Sequence, residues 1–324
     1  MNTPILRQLD FDKDLAAVAA LFVSEMDEAE SVESLRKFLE EHGDRNLGVH
    51  VAVDEKDNLV GFNWLFRDKE IPERAQAYLV VQPECRKQGV GRLLLADLEN
   101  AACQAGILDV RSTVPDKNPE YLRFAQDHAC EVLKHVIGME LNPALLDLEP
   151  FKNLVQALEA QGFHFTSMLA LGDTPGAREN LFRLNDTASS QTMGSDGEHS
   201  WTDFEDFNQS VCESDWYKPA GQLVVIERQT GRWVAMSAIT RFEGSDYAYN
   251  LFTGVDEDYR SRGLARAVKA LALEYARDNL GVTRVRTHHL EANLPMIAVD
   301  RHLGYEVIPG YYTVRKVLPG MPGG

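Results

Sequence analysis

A repeated segment constrains this chain more than any other feature. The run YLVVQPECRKQGVGRLLLADLENAA spans Tyr78 to Ala102, and FTGVDEDYRSRGLARAVKALALEYA spans Phe252 to Ala276. Each is an apolar stretch ending in Val81 or Val255, then Arg86 or Arg260, then Gly89 or Gly263, then Gly91 or Ala265, then an amphipathic stretch. Arg260 follows Arg86 by 174 residues. Asn118 lies 32 residues after Arg86, and Asn293 lies 33 after Arg260. Beyond each Asn comes a helix-ending pair, Ala129-Cys130 in one copy and Gly304-Tyr305 in the other. Chance supplies one glycine-rich turn. Two copies with matched downstream spacing point to tandem domains.

Periodicity gives the local structure. Leu79–Val81 and Leu251–Val255 read as buried strands. Leu94, Leu98, Ala101 and Ala105 recur at helical spacing, as do Val268, Leu271, Ala272 and Tyr275. Gly106 and Gly281 are helix stops, and the strands 109–114 and 283–288 follow. Pro143 and Pro150 mark a linker near residues 142–150. The expected division is therefore a first domain over 1–145 and a second over 150–324. A helix is expected from Phe151 to Glu159, closed by Gly162. The small polar run 187–200 reads as a surface loop of the second domain.

The glycine-rich loops carry a chemical implication. A helix N-terminus leaves backbone N–H groups without partners and carries partial positive charge, so several of its amides can bind one phosphate. Close approach requires that side chains be absent there, which Gly89 and Gly91, or Gly263 and Ala265, provide. Arg86, Lys87 and Arg92 add positive charge to the first loop. Arg260, Arg262 and Arg266 do so in the second. The third glycine of the Rossmann fingerprint is replaced by Leu94 and Val268, and no Gly-Lys-Ser/Thr sequence is present, which disfavours dinucleotides and nucleoside triphosphates.

These basic loops sit in a chain of formal net charge −17. That balance argues against nucleic acid or an anionic membrane as the partner. The four cysteines, Cys85, Cys103, Cys130 and Cys212, form no C-x-x-C pair, so no metal site is expected. The N-terminal residues lack a signal-peptide pattern and no 18-residue apolar run occurs, so a cytoplasmic location is expected.

The paired signatures resemble those of the GNAT superfamily of N-acetyltransferases. The match runs from Val81 through Arg86 and Gly89 to Gly91, and from Val255 through Arg260 and Gly263 to Ala265. The family's downstream motif matches Asn293, Met296, Gly304 and Tyr305. The resemblance implies an α/β (α+β) chain of two tandem GNAT domains, each a mixed, mostly antiparallel twisted sheet flanked by helices. It implies acetyl-CoA as the acyl donor. The residues implied to hold it are Val81, Arg86, Lys87, Gln88, Gly89, Val90, Gly91 and Arg92 in the first copy. In the second they are Val255, Arg260, Ser261, Arg262, Gly263, Leu264, Ala265, Arg266 and Asn293.

The implied reaction is direct acetyl transfer to a primary amine of a small molecule, chiefly in the second domain. The attacking amine must be neutral, so a general base is useful. His289 is favoured, with His288, Glu291, Asp246 and Glu243 as alternatives. His288 and His289 should point to opposite faces of their strand. The family's acid, a tyrosine seven residues after the motif Asn, is replaced by Asp300 in one copy and Ala125 in the other. Tyr312, Tyr305 or Tyr311 could take its place. The aromatic stretch Trp201, Phe204, Phe207, Trp216 and Tyr217 reads as core packing, with an acceptor pocket as the alternative. A CoA-binding regulatory module without turnover and a protein or peptide N-acetyltransferase are the other functions left open.

Overall fold

The structure is a computed structural model that describes residues 4–26, 32–69, 71–190 and 201–319. It divides into two compact units, Met1–His135 with Gly310–Gly324, and Val136–Pro309.

The first unit opens with β1 (Ile5–Gln8), α1 (Phe11–Met26) and α2 (Val32–His42), followed by β2 (Asn46–Val53), β3 (Leu59–Arg67) and β4 (Arg74–Val81). After the first glycine loop come α3 (Val90–Gln104), β5 (Asp109–Pro115) and α4 (Pro119–Asp127). β1 to β4 pair antiparallel in sequence order, and β5 then pairs parallel to β4. β3 is buried along almost its whole length because both its faces are covered. Phe62, Trp64 and Phe66 face α1 and α2, while Leu65 packs in the cluster containing Leu98 of α3. This alternation follows from the two-residue period of a strand.

The second unit contains α5 (Glu149–Ala160), β7 (Phe163–Ser167), α6 (Pro175–Ser190), α7 (Phe204–Phe207), β8 (Gln222–Glu227) and β9 (Trp233–Thr240). β10 (Ala248–Val255), the second glycine loop, α8 (Leu264–Asn279), β11 (Val285–Leu290) and α9 (Leu294–Leu303) follow. β7 to β10 pair antiparallel and β11 pairs parallel to β10. The expected helix over 151–159 lies within α5. Of the run read as a loop, Thr187–Ser190 instead forms the last turn of α6, where Ala188 is buried. The remainder, 191–200, lies outside the described residues. Trp201, Phe207 and Tyr217 join the core beneath α6.

Two long strands carry the chain between the units. β6 (Glu131–Leu141) begins in the first, but its residues Val136–Leu141 pair antiparallel with β11. β12 (Glu306–Val317) begins in the second, but Tyr311–Val317 pair antiparallel with β5. The strand beside β5 therefore comes from the far end of the chain, and the strand beside β11 precedes the prolines at 143 and 150. Hydrophobic periodicity locates a strand without naming its neighbour, so a division drawn at residues 142–150 cannot register this arrangement.

Candidate functional site

In each unit the parallel pair of strands comes apart. β4 and β5 are in register only from Arg74–Asp109 to Ala77–Ser112, and β10 and β11 only at Ala248–Val285 and Tyr249–Arg286. A hydroxyl marks the fork in both. Ser112 Oγ donates to the carbonyl of Ala77 at 2.8 Å, and Thr287 Oγ1 donates to that of Asn250 at 3.0 Å. Beyond the fork each strand runs to its glycine loop.

The two loops have one backbone conformation. Lys87 and Ser261 are left-handed, with φ of 59° and 63°, and Gly89 and Gly263 have φ of 89° and 88°. No side chain caps α3 or α8 at these glycines, so the first-turn amides face outward unpartnered by the helix. Arg86 Nε donates to the carbonyl of Val81 at 3.1 Å, and Arg260 Nε to that of Val255 at 3.3 Å. The arginine at this position thus pins the loop to the strand before it.

The side chains beside the two loops differ. In the first unit a cleft of about 930 Å³ opens between α3, α4 and β5, within the usual range of small-molecule sites. Val81, Arg86, Lys87, Gly89, Gly91 and Arg92 line it. Gln88 instead donates to the carbonyl of Glu84, and Val90 is buried. A Cβ at Gly91 would lie 3.2 Å from the Phe124 ring, so this glycine lets α4 come close. The uncapped helix end, the three cations and the cleft together fit the diphosphate of a coenzyme A.

Two cleft residues carry no sequence signal. Glu25, near the end of α1, accepts hydrogen bonds at one oxygen from both Arg86 Nη2 and the Tyr121 hydroxyl, the latter at 2.6 Å. The Arg86 guanidinium lies 4.9 Å from the centre of the Tyr121 ring. Burial, then the hydrogen bond to Glu25, raises the Tyr121 pKa above the ordinary phenol value. Glu120 holds Lys87 at 2.6 Å, which lowers the pKa of that glutamate.

In the second unit, side chains fill the matching positions. Lys269 Nζ of α8 lies 2.5 Å from Asp300 Oδ1 of α9, and both side chains are fully buried. His289 Nε2 lies 2.6 Å from Asp300 Oδ2. Burial pulls Lys269 below its ordinary pKa, against the opposing pull of Asp300. Burial also acts to raise Asp300, but the Lys269 charge and the His289 hydrogen bond outweigh it and leave this carboxyl below the usual range. Tyr305 is buried with its ring 5.0 Å from Lys269 Nζ, and its hydroxyl is raised well above an ordinary phenol.

His288 and His289 do point apart. His288 Nδ1 lies 2.6 Å from the Tyr249 hydroxyl, on the face away from Asp300. Tyr312 belongs to the first unit, stacked on His135 at 4.2 Å, so it does not share a unit with His289. Asn293 caps α9, its side chain accepting from the Met296 amide. Leu264 is buried, Ser261 holds the left-handed turn, Arg262 donates to the Asp258 carbonyl, and Arg266 Nη1 lies 3.3 Å from His302 Nε2.

The model of the acetyltransferase (GNAT) family matches residues 15–129 and again 183–305. The chain belongs to that family, twice over, and is an acetyl-CoA-dependent acetyltransferase. It is similar to the mycothiol acetyltransferase of Geodermatophilus obscurus, 26% identical over 93% of this chain and 94% of that one. It is also similar to the mycothiol acetyltransferase of Mycolicibacterium smegmatis, 22% identical over 80% of each. Among solved structures, a GCN5-related N-acetyltransferase from Sphaerobacter thermophilus aligns with a TM-score of 0.71 at 17% identity, over 98% of this chain and 97% of that one. A tandem GNAT protein from the clavulanic acid biosynthesis pathway aligns at 0.69 and 17% identity, over 99% of this chain and all of that one. These structures share the fold. Among the described residues no helix is long and apolar enough to cross a membrane, and no cluster of potential metal ligands occurs.

Proposed function

We propose that the first unit's cleft holds acetyl-CoA and that the chain transfers the acetyl group directly to a primary amine of a small molecule. The open cleft beside the uncapped loop carries this reading. Acetyl-CoA supplies the acyl group as a thioester. The amides opening α3, with Arg86, Lys87 and Arg92, hold its diphosphate. Glu25 lines the same cleft and takes the proton that the acceptor's ammonium must lose before the neutral amine attacks the thioester carbonyl. Tyr121, kept protonated by its raised pKa, donates to the departing thiolate. The carboxylate also favours a cationic acceptor, and the similarity to mycothiol acetyltransferases supports a small one.

Release of free thiol from acetyl-CoA, followed across a panel of small primary amines and peptides, tests this. Turnover with small amines is expected. Turnover with peptides alone would overturn the small-molecule acceptor. Tyr121→Phe should lower kcat by roughly 10²-fold, the lower end of general acid–base contributions, with KM little changed. An unchanged kcat would remove Tyr121 from the chemistry.

A second reading places the chemistry in the second unit. β10 shifts register between Asn250 and Phe252, which leaves Leu251 as the extra residue of a bulge beside the fork. Bulges are over-represented next to active sites, where they re-aim a side chain or end strand pairing. His289, oriented by Asp300, would be the base. No such shift occurs in β4.

A further inference from the structure

We infer that the Lys269–Asp300 ion pair decides which copy accepts acetyl-CoA, by filling in the second unit the space that is cavity in the first. The inference rests on the reading that the first cleft is the acetyl-CoA site. Counting from the paired signatures, Lys269 stands where the first copy has Leu95. From the paired motif asparagines, Asp300 stands at Ala125, His289 at Val114 and Tyr305 at Cys130. All four first-copy residues line the open cleft. Each of their counterparts is larger, and together they form one connected cluster.

The cluster is also hard to move. A charge buried in a protein interior needs its partner, because separating the two leaves an uncompensated ion in a medium of low polarity. Lys269 and Asp300 are both fully buried, so drawing α9 away from α8 to admit a ligand would strand both. In the first copy Leu95, Phe124 and Ala125 of the same two helices border open space, and neither Leu95 nor Ala125 carries a charge. The backbone turn above each site is the same, so the turn's conformation alone does not choose between them.

Titration calorimetry of the full chain with coenzyme A tests the inference. The wild type should bind one molecule per chain. Lys269→Leu with Asp300→Ala, which copies the first unit, should raise the number to two. A wild-type value of two that falls to one in Gly263→Glu would overturn the inference, as would a folded double variant that still binds one. Should the double variant melt early, hydrogen exchange on the wild type decides. Protection by coenzyme A at the amides of residues 263–266 would overturn the inference, and protection confined to residues 89–92 would uphold it. Persistence of binding in Gly89→Glu would instead sink the assignment of the first cleft, which is a separate failure.

Discussion

Lys87 and Ser261 adopt the same left-handed turn, Gly89 and Gly263 cap their helices alike, and Arg86 and Arg260 return to the same strand carbonyl. A few ångströms further in, the units part. Leu95 and Ala125 border a cleft, whereas Lys269 and Asp300 close on one another. The glycine loop is therefore one backbone conformation used twice, and the units differ in the side chains of the helix pair beneath it. The contrast extends to the helix packing above. Gly91 makes room for Phe124, while the second copy has Ala265 and the smaller Val299 at the matching sequence positions.

Removing the chain after Pro309 should break the comparison most severely. The first unit would lose the strand that pairs with β5, along with the buried Val314 and Leu318. Two buried aliphatic side chains contribute roughly 1.5–3 kcal/mol each, against about 5–15 kcal/mol for a whole domain. A two-transition melt should then lose or greatly lower the transition of the first unit. An unchanged melt would mean that β12 is dispensable to it.

Asp300→Ala comes next. It leaves Lys269 buried and unpaired, which costs about 3–5 kcal/mol in denaturant unfolding. Adding Lys269→Leu should recover most of that loss, and a purely additive double variant would argue against coupling between the two.

Ala129→Gly should have the smallest effect. Ala129 has φ of 61° where the second unit has Gly304 at 91°. An alanine held in this region is strained by about 1 kcal/mol, so glycine should raise the melting temperature by a few degrees.

The loops were legible in the sequence because their backbone demands glycine and their function demands arginine, and both leave a spacing. The helices α3, α5 and α8 were legible from their apolar stripes. The cluster in the second unit was half legible. Asp300 stands out as a departure from a motif, but its partner lies in another helix. The available signal was Lys269 itself, a charge between Val268 and Ala270 on the buried stripe of α8. Glu25 left no trace, since its link to Arg86 spans 61 residues and arises only from the packing of α1. The pairings of β6 and β12 were invisible for the same reason: a strand's neighbour is set by tertiary structure.

The central claim is that the first unit's loop serves catalysis. Thiol release from acetyl-CoA by Gly89→Glu and Gly263→Glu, each checked for an unaltered melt, tests it most directly. A glutamate at either position places a negative charge at the helix end that would hold the diphosphate. Losing one or two charge-assisted hydrogen bonds at about 1.5–3 kcal/mol each predicts at least a ~10-fold fall in kcat/KM for Gly89→Glu and little change for Gly263→Glu. Loss of turnover in Gly263→Glu, with Gly89→Glu still active, would contradict the account and move the chemistry to the second unit.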